Sequence, residues 1–256
     1  MFKNYGWIVE AKLNPGQLEN FKKVMNSQVN RALTEKGTLN YQYYMSDEGD
    51  VLVYERFSNA DASHEHIENW DDHAARWIDA ATPTRMVHLG DLPDDVRERH
   101  AALSPLWLKP LGGFAREQAA DSRSTKDGDT QFENFGWIVE AKLNAGQLEN
   151  FKGVMQDQVK RALTEEGTLN YQYYISDEGD ILVYERFKGL ASSHIHIENW
   201  DAHAQRWMAA ATPTRMVHLG DLPQEPCATF IKTIRRFCKI THKLITFIRP
   251  DTFRLA

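Results

Sequence analysis

Residues 1–93 are written a second time at 131–223. Gly6-Trp7-Ile8-Val9-Glu10 returns as Gly136-Trp137-Ile138-Val139-Glu140, and the offset of 130 then holds without a gap through Asp91-Leu92-Pro93 and Asp221-Leu222-Pro223. Roughly 70 of the 93 aligned positions are identical, more than a fold needs to keep its shape, so the copying reads as recent. Identity between the copies therefore marks no residue as functional. What it does predict is two similar domains of about 100 residues each. Such a chain is most simply a fused homodimer, an intramolecular pseudo-dimer, with further homo-oligomerisation left open.

Composition narrows function by exclusion. A chain of 256 residues with 42% hydrophobic and 26% charged residues can bury a modest core in each half. The formal charge of −6 gives no general attraction to nucleic acid, and no stretch approaches the ~20 apolar residues of a membrane span. The opening Met1-Phe2-Lys3-Asn4-Tyr5-Gly6 runs into a strand-like segment without a signal-peptide core, so a cytoplasmic location is expected. Cys227 and Cys238 are the only cysteines, and both lie beyond the repeats, so neither repeat relies on a disulfide.

Within one repeat, Tyr5, Trp7, Val9, Ala11 and Leu13 alternate with Gly6, Ile8, Glu10 and Lys12, the period of a half-buried strand. The period then changes. Asn14-Pro15-Gly16-Gln17 reads as an N-cap with proline at the first helical position, and Leu18, Phe21, Val24, Met25, Val29, Ala32 and Leu33 recur at helical spacing up to Gly37. Residues 38–45 and 51–57, flanking Ser46-Asp47-Glu48-Gly49-Asp50, suit an antiparallel hairpin. A helix over about 60–81, ended by Pro83, and a strand from Thr84 to Asp91 complete the order β-α-β-β-α-β. The fold class is α+β, two tandem ferredoxin-like domains with helices on one face of an antiparallel sheet.

Four segments follow. Residues 1–116 make the first domain, including an appendix with a short helix at 94–103 and the closing run Pro110-Leu111-Gly112-Gly113-Phe114-Ala115-Arg116. Residues 117–131 read as a solvated linker, and 132–223 as a second domain without the closing run. Residues 224–256 form an unrelated tail whose Lys232, Arg235, Arg236, Lys239, Lys243 and Arg249, with apolar residues at a seven-residue period, predict a basic amphipathic helix. Covering sheet surface is the expected role for that helix, and membrane contact the lesser one.

The residues with most chemical content lie on the second helix. His66, Trp70, His73 and Trp77 are spaced by four, three and four residues, so they share one stripe, and His196, Trp200, His203 and Trp207 repeat it. The stripe either fills the core or lines a cavity. On the hairpin, Leu39, Tyr41, Tyr43 and Met45 alternate with Asn40, Gln42 and Tyr44, and Tyr171 and Tyr173 are the second-copy counterparts of Tyr41 and Tyr43. A cavity of Tyr, His and Trp suits a flat aromatic ligand bearing hydroxyl or carbonyl oxygens. No metal site is expected: His66 and His73 lie two turns apart, about 10 Å along the axis, and no Cys cluster or His-Glu-x-x-His pattern occurs. A dinucleotide fingerprint and a phosphate-cradling glycine loop are also missing from the sequence.

The run from Gly37 to Gly49, then Val53-Tyr54-Glu55-Arg56-Phe57, the His-bearing helix and the 110–116 ending resemble the antibiotic biosynthesis monooxygenase family of the dimeric α+β barrel superfamily. The resemblance implies two sheet-and-helix units and oxidation of a small phenolic or quinol-type aromatic by molecular oxygen with no cofactor. It further implies that His66 and His196 act as base or phenolate partner, with Trp70 and Trp200 as pocket wall. Tyr41 or Tyr43 is then the expected donor to a substrate oxygen, and His73, Trp77, Tyr171, Tyr173, His203 and Trp207 complete the expected binding residues. Two alternatives stand beside this reading. One is a non-catalytic small-molecule-binding or stress-associated barrel protein. The other is a haem-degrading monooxygenase using Asn69, Trp70 and His73, although adjacent Asn69 and Trp70 point about 100° apart on a helix.

Overall fold

The computed structural model describes residues 5–116, 135–220 and 245–247. They fall into two compact units, residues 5–109 in one and residues 110–116 with 135–220 in the other. In the first, β1 (Tyr5–Leu13), α1 (Leu18–Ala32), β2 (Thr38–Met45), β3 (Asp50–Phe57), α2 (Ala60–Ala80) and β4 (Ala81–Leu89) give the expected order. The sheet order is β4-β1-β3-β2, antiparallel throughout, with Trp7 opposite Glu55 and Tyr43 opposite Val53. Strand alternation sends Trp7, Tyr43, Val53, Glu55, Phe57, Met86 and His88 toward the helices. There Phe21, Val24 and Met25 of α1 and Trp77 and Ala80 of α2 pack on Tyr43, Met45, Val51 and Val53. A second cluster joins Trp7, Phe57, Ile67 and Met86 to Leu92 and Val96. Val96 lies on α3 (Asp94–His100), which continues as a 3-10 turn at Ala101–Leu103 and ends on the left-handed Ser104.

Local punctuation differs from its sequence reading. The position before α1 is Gln17, which makes no side-chain cap, while Asn14 serves the other helix. Its amide nitrogen donates to Asp79 O at 2.9 Å, and its backbone N–H donates to Ala80 O at 2.9 Å. Its side-chain oxygen accepts from Thr82 Oγ1 at 2.8 Å. Asn14 thus closes the C-terminus of α2, which explains why that helix ends at Ala80 and β4 starts at once, with Pro83 inside the strand at the bulge opposite Ala11. Gly37 lies beyond the end of α1 and is there for space: a Cβ would stand 2.2 Å from Ala62 Cβ.

The second unit repeats the first as β6 (Phe135–Leu143), α4 (Leu148–Ala162), β7 (Thr168–Ile175), β8 (Asp180–Phe187), α5 (Leu190–Ala210) and β9 (Ala211–Leu219), in the same register. The domain boundary moves. Strand β5 (Leu106–Ala115) begins beside β4, with Val87 opposite Leu106 and Leu89 opposite Leu108, but from Pro110 it is built into the second unit. Leu111 and Phe114 pack on the second core, and Arg116 donates its backbone N–H to Leu169 O at 2.9 Å. The Arg116 guanidinium reaches Thr168 O, Leu163 O and Glu165 O at 2.9–3.1 Å. The closing run therefore belongs to 135–220 rather than to 5–109, because four long-range hydrogen bonds and two apolar anchors hold it there. The expected linker and nearly all of the tail lie outside the described residues; Ile245–Phe247 is a strand, β10, where the sequence pattern predicts helix.

Candidate functional site

In the first unit a cavity of about 380 Å³ opens between the helix-facing side of the sheet, α2 and the α3 segment. Trp7, Ile67, Trp70, Trp77 and Met86 make most of its wall. Ile78 and Leu103, 51% and 40% exposed, mark its rim. Its deep end is polar: Tyr43, Glu55 and His66 line it, and none is more than 7% exposed.

His66 is the centre of that end. Its Nδ1 is 2.8 Å from Glu35 Oε2, and its Nε2 lies 3.1 Å from Glu55 Oε2 as an ion pair but without hydrogen-bond alignment. Burial alone would depress this imidazole; the two carboxylates outweigh it and lift the pKa to about 9. Glu35 is fixed in turn by Thr38 Oγ1 at 2.5 Å and by Asn69 Nδ2 at 2.8 Å, and Arg31 clamps Asn69 from the surface. Burial works to raise the Glu35 carboxyl, but bonds from His66, Thr38 and Asn69 overcome it and hold the group below the ordinary carboxylate range. At neutral pH His66 is therefore an imidazolium held against the ionised Glu35, with the Glu55 carboxyl group on its other side. With its proton already in place, the imidazole fits the phenolate-partner half of its expected role rather than the base half. Glu55 is the carboxyl group that lines the cavity, with His66 Nε2 beside it.

The remaining expected residues divide. Trp70 and Trp77 line the cavity with ring centroids 6.4 Å apart. Tyr43 lines it too, but its hydroxyl donates to Gln28 Oε1 at 2.6 Å and so accepts from Tyr41, whose hydroxyl is 2.8 Å away. Both hydroxyls are thus engaged inside the protein in this structure. Tyr41 stands behind the wall, its ring edge-on to His66 at 4.8 Å. Burial pushes both phenols well up, so neither ionises at neutral pH. His73 is turned toward α1, where its Nε2 meets Ser27 Oγ at 2.8 Å, and it is not among the cavity residues. With Asn69 bound to Glu35 and Arg31, two of the three residues cited for haem face elsewhere, so a haem does not fit the set.

In the second unit His196 repeats the geometry, 2.8 Å from Glu165 and 3.0 Å from Glu185, and its pKa is likewise lifted to about 9 by those carboxylates against the effect of burial. Tyr173, Trp200 and Trp207 surround a space of only about 10 Å³, and Tyr171, His196 and all three of these are at most 7% exposed. His203 is half-buried and outside that space. Among the described residues the walls are repeated and the open volume is not. Sequence reasoning missed Glu35, Glu55, Trp7, Arg99 and His100. Glu55 carried a readable signal, because it shares its face of the strand with Val53 and Phe57 and so places a carboxyl group on a buried face. Glu35 sits in a turn with no periodicity.

Residues 5–80 match the family model described as antibiotic biosynthesis monooxygenase. Crystal structures described as candidate monooxygenases share the fold over most of the chain. One from Lactobacillus acidophilus has a TM-score of 0.59 at 12% identity, with 85% of this chain and 92% of that one covered. Another from Fusobacterium nucleatum has a TM-score of 0.61 at 12% identity, with 86% and 92% covered. No curated protein matches the chain.

Proposed function

We propose, given the match of residues 5–80 to the antibiotic biosynthesis monooxygenase family model, that the first repeat of this chain is a monooxygenase for a small phenolic or quinol-type aromatic, without a bound cofactor. The observation that carries this is an aromatic-walled cavity of about 380 Å³ with a carboxylate and an imidazolium at its deep end. A phenol entering it would give its O–H proton to Glu55, and the His66 Nε2–H would hold the phenolate oxygen. Water-poor walls strengthen both interactions. An electron-rich phenolate can itself reduce oxygen. One oxygen atom enters the ring and the other leaves as water, while the ring loses its O–H and one C–H hydrogen and supplies all four electrons.

The test is oxygen uptake with a series of hydroquinones and naphthols. Glu55→Gln should lower the rate at least ~100-fold, the scale of a lost general base. Glu185→Gln, in the closed copy, should leave most of it. No uptake above buffer, or equal uptake after Glu55→Gln, would refute the reading. Ligand-induced thermal stabilisation without oxygen uptake would favour the non-catalytic binder instead.

A further inference from the structure

The α3 segment gives the first cavity a second polar end, and nothing in the repeated domain requires it. Arg99 and His100 both line the cavity. Arg99 holds Asp71 of α2 through Nη2 alone, with its side chain 47% exposed, so a guanidinium fork with five donors has most of them available at the rim. His100 stands edge-on to Trp7 at 5.2 Å, and its Nδ1 is 3.0 Å from Nε2 of His88. Burial and neighbouring cations keep both imidazoles uncharged, His88 down to about 3 and His100 to about 4. When His88 Nε2–H donates to His100 Nδ1, His100 keeps an N–H on Nε2 for the cavity. The Trp7 indole lies between the two ends, 6.4 Å from His66 and 5.2 Å from His100, a span that suits two fused rings.

We propose that the first cavity selects a phenol that also bears a carboxylate, its hydroxyl at Glu55 and His66 and its carboxylate on Arg99 and His100. This rests on the reading of that cavity as the working site. Arginine presents paired N–H groups to a carboxylate, and a neutral imidazole adds a donor without bringing a second charge to desolvate. The second copy has no counterpart: at the offset of 130 the sequence reads Thr229 and Phe230. Asp71 is the internal competitor, occupying one guanidinium nitrogen until a ligand carboxylate arrives.

Binding is measured by isothermal titration under argon, separately from oxygen uptake, with 6-hydroxy-2-naphthoate, its methyl ester and 2-naphthol. The acid should bind about ten-fold or more tightly than the ester, the worth of one charge-assisted hydrogen bond. Arg99→Gln should erase that preference while leaving 2-naphthol unmoved. Asp71→Asn should tighten the acid alone, an outcome that loss of a merely structural ion pair would not give. Equal binding of acid and ester, or an acid preference that survives Arg99→Gln, would overturn the inference. Selective binding of the acid with no oxygen uptake would support it and sink the monooxygenase reading.

Discussion

The buried Glu35–His66–Glu55 group makes a measurable claim about charge. His66 is lifted from 6.5 to about 9 although it is 3% exposed, so the carboxylates more than offset a desolvation penalty. With ~1.4 kcal/mol for each tenfold change in proton affinity, the net lift is worth roughly 3 kcal/mol of preference for the protonated folded state. Glu35→Gln keeps the shape and removes one charge. It also gives Asn69 Nδ2 and Thr38 Oγ1, which both donate to Glu35, one acceptor where they now have two. The His66 pKa should fall back to its ordinary value or below, and roughly 2–3 kcal/mol of stability should go at pH 7.

The pH dependence fixes the sign. Below about 6.5 the imidazole is protonated in folded and unfolded chains alike, and the full contribution is present. Between 6.5 and about 9 only the folded chain keeps the proton, so the contribution shrinks as pH rises and is gone above about 9. Imidazole NMR titrations read this directly, with His196 as an internal reference that Glu35→Gln should not move. Denaturant unfolding at pH 7 and pH 9.5 reads it independently, and the difference between wild type and variant cancels the buried tyrosines. A wild-type spectrum in which His66 and His196 titrate near 6.5, or a stability gap between wild type and variant that does not narrow by pH 9.5, would refute the reasoning.

Gly113→Ala should release the closing strand, because at φ 113° a Cβ would stand 2.0 Å from Tyr171 O; protease cleavage within 110–116 should rise, and unchanged resistance would count against the strand's placement. Acidification below pH 6.5 should cost ~1.4 kcal/mol per pH unit for each of His88, His100 and His218, whose folded pKa values of about 3, 4 and 4 leave the unfolded chain to bind protons first. Urea midpoints that stay flat from pH 6.5 to 5 would contradict it. Asn14→Ala should cost about 1 kcal/mol by uncapping the last turn of α2, seen as a lower melting temperature, and no loss would mean that water replaces the amide.

Repeat order, both hairpins and the face of α2 were legible because each rests on a local period, two for the strands and 3.6 for the helix. The side of β2 that meets the helices was not, since Leu39-Tyr41-Tyr43 and Asn40-Gln42-Tyr44 both carry tyrosine. Asn14 misled because an Asn-Pro-Gly-Gln run has the same letters whether its amide serves the helix after it or the end of one 65 residues on. The split of β5 was illegible for a different reason: pairing with β7 is long-range, and only Gly113, with its positive φ against Tyr171, hints at a backbone approach. At the site, the stripe His66-Trp70-Trp77 was readable as a unit. What the histidine does was not, because its charge is set by Glu35 and Glu55, which reach it from a turn and from another strand.

The closed copy explains why retention of the same three residues is weak support for a second site. Glu165, His196 and Glu185 are at most 6% exposed, beside a space of about 10 Å³. Losing any one member would leave another charge buried without its partner, at several kcal/mol, whereas losing all three demands simultaneous change. The cluster is therefore held in place by its own desolvation cost even beside so small a space among the described residues. It follows that Glu165→Gln should weaken folding about as much as Glu35→Gln does, while the proposed oxygen chemistry and carboxylate preference would be lost only with changes in the copy that carries Arg99 and His100.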